Sequence, residues 1–178
     1  MSLFLPLAVL ALCASTTAAA ADESNTPLAA WEFNDPAFSF EGAYNIALRV
    51  EGGVLHGAAT DTGGGSYLFL PPVDLPTPVR IAFRARTADT MTDLGEMYWV
   101  TEESPGYAMD KRIQFPVHHD GAWRDYSIPL PAAGRLRQVR LSLGRGSGDT
   151  ALDNVRIIAD PLPRAIADLR VRYPEVVV

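Results

Sequence analysis

The stretch VRIAFRARTA, Val79–Ala88, decides the fold. Val79, Ile81, Phe83 and Ala85 alternate with Arg80, Arg84 and Arg86. Successive side chains on a strand point to opposite faces, so this order predicts a strand with one dry face and one wet face. A helix would instead gather its apolar residues every three or four positions.

The same period recurs on either side. RIQFPV turns Ile113 and Phe115 inward, DYSIPL turns Tyr126, Ile128 and Leu130 inward, and QVRLSL does so with Val139, Leu141 and Leu143. AAWEFN, IALRVEG, VLHGAAT, SYLFLPP, GEMYWVT and ALDNVRII read as further strands. Between them lie the turn signals EGG, DTGGG, LPTP, SPG, HDG, AAG and GSGD. Many short strands with frequent turns, and no helical period before residue 160, predict an all-β fold. The expected architecture is a two-sheet antiparallel jelly-roll β-sandwich with a short C-terminal tail.

The 178 residues divide into four expected segments. Residues 1–21 read as a signal peptide: the apolar run LFLPLAVLALCA is too short for a comfortable membrane span and is followed by small residues. Residues 22–28 read as a flexible segment, 29–158 as the sandwich, and 159–178 as a strap or linker remnant. The expected location is therefore secreted or periplasmic, with no transmembrane segment after signal removal. Cys13 lies in the signal, so the remainder has no thiol and no disulfide. With 48% hydrophobic and 20% charged residues, a packed core is expected. The formal net charge of -6 argues against nucleic acid as a partner, because such partners require a basic surface.

The window PVHHDGAWRDY, Pro116–Tyr126, holds two histidines and two aspartates. It reads as a hairpin turn at Asp120–Gly121, two residues expected to take positive φ. His118 and His119 should point to opposite faces and so are poorly placed to ligate one ion. No nucleophile elbow, zinc-protease motif or phosphate-binding loop is present, so the chain does not read as an enzyme.

GEMYWVTEE, RIQFPVHHDGAWRDYSIPL and GRLRQVRLSLGRGSGDTALDNVRII together resemble jelly-roll modules of the galactose-binding-like, carbohydrate-binding-module-like type. The likeness lies in a Tyr-Trp strand, a Phe-Pro strand, an Asp-Gly-x-Trp turn and a closing Asp-x-Val strand. RLSLGRGSG departs from it by lacking an Arg-x-Asp-Pro before the closing loop. The resemblance implies a non-catalytic domain that binds a glycan or polysaccharide on a sheet face. It also implies a structural calcium ion where the terminal strands lie side by side, with Glu32 and Asp153 as candidate ligands.

Tyr98, expected outward with Glu96, and Tyr107, in the loop ESPGYAMD, are the candidate stacking residues; Trp99 shares parity with Met97 and reads as core. Arginine supplies 14 of the 15 basic residues, and Arg80, Arg84, Arg86, Arg112, Arg140 and Arg156 all fall on strands, with at least five expected to face away from the core. A guanidinium can hold a carboxylate or sulfate by paired hydrogen bonds. Arg84 and Arg112 are therefore candidate ligand residues, and an acidic sugar is among the expected partners. Two other readings stay open: an assembly domain contacting another exported protein, and a small polysaccharide-active enzyme.

Overall fold

A computed structural model describes residues 26–35, 42–61, 65–88, 93–144 and 148–160. The expected signal peptide and the tail beyond residue 160 lie outside these residues. The strands, in chain order, are β1 Pro27–Trp31, β2 Gly42–Tyr44, β3 Ile46–Glu51, β4 Val54–Ala59, β5 Tyr67–Phe69 and β6 Leu75–Pro76. They continue with β7 Val79–Thr87, β8 Leu94–Thr101, β9 Arg112–Pro116, β10 Arg124–Leu130, β11 Arg135–Ser142 and β12 Asp149–Ala159. A 3₁₀ turn, Met109–Lys111, precedes β9.

The strands form two six-stranded antiparallel sheets, the jelly-roll sandwich expected from the alternation. The first runs β10-β7-β12-β4-β3, with β1 also paired to β12; the second runs β2-β5-β11-β8-β9, with β6 also paired to β11. From β7 onward the chain crosses between sheets at nearly every connection: β8 and β9 stay together in the second sheet, whereas β10 returns to the first, β11 to the second and β12 to the first.

The inner faces meet in one core. Val79, Ile81, Phe83 and Ala85 from β7 pack with Met97 and Trp99 from β8, Phe115 from β9, Ile128 and Leu130 from β10, Val139 and Leu141 from β11, and Val155 and Ile157 from β12. Tyr126 stacks on Phe83 at 5.1 Å between ring centroids, and Phe115 meets Phe83 edge-on at 6.1 Å. Trp99 is thus a core residue, as its parity with Met97 predicts. Ile113 and Tyr126 lie at the core's margin, half-buried rather than enclosed.

The Asp120–Gly121 hairpin does not form. β9 pairs with β8 in one sheet and β10 with β7 in the other, so residues 117–123 carry the chain across the sandwich. The turn docks on the end of β7 instead: Asp120 bridges Ala88, and the Gly121 amide donates to the Thr87 carbonyl at 3.0 Å. Gly121 takes the expected positive φ of 73°, but Asp120 does not. The Asp120 carboxylate accepts from the Ala122 amide at 3.0 Å and from Arg124, and these donors hold its pKa below the usual carboxylate value, Arg124 most of all. A local Asp-Gly signal cannot tell a turn between paired strands from a turn between sheets, because both need the same backbone.

The two histidines also separate. The His118 side chain is exposed, while its carbonyl accepts from the Thr87 hydroxyl at 2.8 Å. That hydroxyl has one proton, so its 2.7 Å contact with His119 Nδ1 requires the imidazole to donate. His119 therefore anchors the crossover to buried Thr87.

Candidate functional site

The outer face of the second sheet is built from the positions that alternate with the core. On β8 these are Glu96 and Tyr98, on β11 Gln138 and Arg140, and on β5 Tyr67 and Phe69. Register puts Arg140 opposite Tyr98 on one side and Phe69 on the other. Tyr44 on β2 lies opposite Tyr67, which adds a second row of aromatics beside the row Tyr98–Arg140–Phe69.

Arg140 is the hub of this face. Its guanidinium carbon lies 4.0 Å from the Tyr98 ring centroid, 4.2 Å from Tyr67 and 4.7 Å from Tyr107. Among the described residues no carboxylate pairs with it, and its buried Nε has no hydrogen-bond partner. The ring faces carry negative quadrupole charge and hold the cation in place of a counter-ion. The rings also fix one another: Tyr44 and Tyr67 are 6.2 Å apart, Tyr67 and Tyr98 6.4 Å, and Phe69 and Tyr107 5.8 Å.

Polar groups frame the aromatics. Glu96 Oε1 accepts from Arg112 Nη1 at 2.9 Å and from Gln114 Nε2 at 3.1 Å, and Oε2 accepts from the Tyr98 hydroxyl at 3.4 Å. The Tyr107 hydroxyl donates to Gln138 Oε1 at 3.0 Å. Burial pushes the Tyr107 phenol up to about 12, against the opposing pull of Arg140, so it remains a neutral donor. The loop bearing Tyr107 is tied down by Lys111, the chain's one lysine, whose Nζ donates to the Ser104 carbonyl at 2.8 Å and to that of Gly106.

Three of the four expected ligand residues, Tyr98, Tyr107 and Arg112, meet on this face. Arg84 does not join them: it lies on β7, on the outer face of the other sheet, which looks the opposite way. Tyr98 points to the expected side but is only 5% exposed, so its ring supports the platform from below rather than offering a surface. Strand parity predicts direction, whereas exposure depends on what neighbouring strands lay over a residue. The open aromatic surface comes from Tyr44, 58% exposed, and half-buried Tyr67 and Tyr107. Sequence reading passed over Tyr44, Tyr67 and the hub role of Arg140. The Tyr-x-Phe alternation in SYLFLPP would have flagged Tyr67 and Phe69; nothing local signals that Arg140 sits beneath three rings.

Glu32 follows the end of β1, whose last residue pairs with Val155, and Asp153 lies two residues before Val155 on β12. The terminal strands are thus neighbours, as expected. The Glu32 carboxylate accepts from Asn34 Nδ2 at 3.2 Å. Calcium takes six to eight oxygens, and among the described residues no three metal-ligating side chains converge. Glu32 and Asp153 do not by themselves make a calcium site.

No protein-family model matches the sequence, and no curated protein matches it. Solved structures do resemble it. A family 29 carbohydrate-binding module superposes with a TM-score of 0.49 at 11% identity, over 66% of this chain and 76% of that one. A variant module of the same family, complexed with mannohexaose, gives 0.47 at 11% identity over 66% and 79%. Another variant, complexed with cellulohexaose, gives 0.47 at 11% over 66% and 78%. The likeness is in the path of the chain; the site is read from this protein's own residues.

Proposed function

We propose that the protein is an exported, non-catalytic glycan-binding module whose ligand lies on the outer face of the second sheet. The observation that carries this reading is the row Tyr44–Tyr67 with Tyr107 beside it, held rigid around Arg140. Sugar rings present apolar C–H faces edged by hydroxyls. A fixed aromatic surface with a polar frame suits them, because little side-chain entropy remains to be lost on binding. Gln114, Gln138 and Arg112 supply that frame at the level of the rings. A glycosidase would need a carboxylic acid and a second carboxylate flanking the scissile bond; Glu96 is instead buried and held by Arg112, Gln114 and Tyr98. Calorimetric titration of the domain with neutral oligosaccharides tests the proposal. Binding that falls about tenfold or more in Tyr67→Ala, equivalent to roughly 1.4 kcal/mol, supports it. If no glycan in a broad panel binds at millimolar concentration, the reading as an assembly domain for another protein replaces it. Mass spectrometry of the secreted protein, expected to lack residues 1–21, tests export.

A further inference from the structure

The outer face of the first sheet carries a different kind of site. A cleft of about 330 Å³ is lined by Arg49, His56, Arg86, Asp149 and Thr150, with Gly57, Ala88 and Gly121 around them. Its geometry follows from register. Arg49 faces His56 across β3–β4, His56 faces Ala151 across β4–β12, and Ala151 faces Arg86 across β12–β7. Four positions therefore form one transverse row, with a methyl group where a long side chain would close the gap. Adjacent strands lie about 4.8 Å apart, so Arg49 and Arg86 rise roughly 14 Å from each other on either side of a small floor.

Of the two arginines in the cleft, Arg86 has no ion-pair partner among the described residues. Arg84 and Arg86 both stack on Trp123, at 5.0 Å and 5.4 Å from its ring. Register sets Asp125 and Asp153 opposite Arg84, whereas Arg86 faces Ala151. Most other described arginines have a carboxylate partner: Arg80 pairs with Asp160, Arg112 with Glu96, Arg124 with Asp120, and Arg135 and Arg137 with Asp74. Arg49 has only Glu51, in a pair where both side chains are largely solvent-exposed. Asp125 and Asp153 offset the charge of Arg84, and Arg86 is left as the cation open to an incoming anion. Asp149 adds one acceptor to the cleft wall, and His56 a group that can donate or accept.

We propose that this cleft is a second carbohydrate site, selective for a sugar unit bearing an oxyanion, a carboxylate or a sulfate ester. Arg86 binds the oxyanion, Arg49 contributes positive potential from across the floor, and Asp149 and His56 take neighbouring hydroxyls. The site is independent of the tyrosine face and stands whether or not that face binds neutral glycans.

The test is calorimetric titration of three probes, a galacturonate hexamer, a sulfated dextran oligomer and a neutral glucan hexamer, into the wild type, Arg49→Ala/Arg86→Ala and Tyr67→Ala. The proposal expects one or both acidic probes to bind the wild type and to weaken about tenfold or more in the double variant, the range for loss of charge-assisted hydrogen bonds. Tyr67→Ala should leave that binding within about twofold. Rising salt should weaken it as the Debye length shortens. Which acidic probe binds more tightly separates carboxylate from sulfate. Arg86→Lys keeps the charge but loses the paired geometry, and should fall between wild type and double variant. Acidic probes that fail to bind, or bind equally well to the double variant, would overturn the proposal. Acidic binding lost only in Tyr67→Ala would also overturn it, by placing the oxyanion at Arg140.

Discussion

The two outer faces of this sandwich handle arginine in opposite ways. On the second sheet one guanidinium is enclosed by three tyrosines, and the rings outnumber the charge. On the first sheet two guanidiniums share one tryptophan and stand open to solvent. Both faces arise from the same alternation around the same core. What differs is the residue at outward positions: Tyr67 and Tyr98 flank Arg140, whereas Ala151 and Ala82 lie among the arginines of the first sheet. Bulky neighbours bury a cation and make a rigid surface; alanines leave it exposed with a cleft at its feet. A single scaffold thus presents an aromatic platform on one side and a basic cleft on the other.

The largest expected effect removes the comparison altogether. Phe83 touches Tyr126 and Phe115 beneath both sheets, and Phe83→Ala should destabilise the domain by about 3–5 kcal/mol in urea denaturation. Both faces would lose affinity together; a near-unchanged midpoint would show that the sheets do not share this core.

The next effect separates the faces. Arg140→Ala should cost about 2 kcal/mol, because its cation–π contacts are shielded from water. Arg86→Ala, exposed on its tryptophan, should cost about 0.5–1 kcal/mol. Equal costs by thermal melting would remove the distinction drawn between enclosed and open arginine.

The crossover that connects the sheets gives a smaller contrast. His119→Ala should lose about 1 kcal/mol with its hydrogen bond to buried Thr87, whereas His118→Ala should stay within about 0.5 kcal/mol. Matching effects would return both histidines to a simple exposed turn.

The smallest effect concerns pH. The Tyr107 phenol is raised to about 12 in the folded protein, above its ordinary value near 10. The neutral form is favoured in the fold, so this contribution is complete below about pH 10 and is lost as pH rises toward 12. The melting temperature should fall across that window, and less steeply in Tyr107→Phe. An identical slope in the variant would detach Tyr107 from the titration.

The core was legible because Val79, Ile81, Phe83, Val139 and Leu141 repeat one period with few exceptions, and a half-dry strand admits no other reading. The site was legible only in part. Alternation gave the direction of Tyr98 and Arg112, but not the sheet to which Arg84 belongs. Sheet membership depends on which strands pair at a distance, and no local pattern carries it. The Asp120–Gly121 turn failed as a hairpin for the same reason. Tyr67 and Arg140 are 73 positions apart in sequence and meet only through the pairing of β5 with β11.

The central claim is that the tyrosine face binds glycan. Backbone amide shifts of the isotopically labelled domain, followed while a neutral glucan hexamer is added, test it most directly. The account predicts that perturbed amides cluster on β2, β5, β8, β11 and the loop carrying Tyr107, leaving β3, β4 and β7 unmoved. Shifts confined to the first sheet, or none at millimolar ligand, would contradict it.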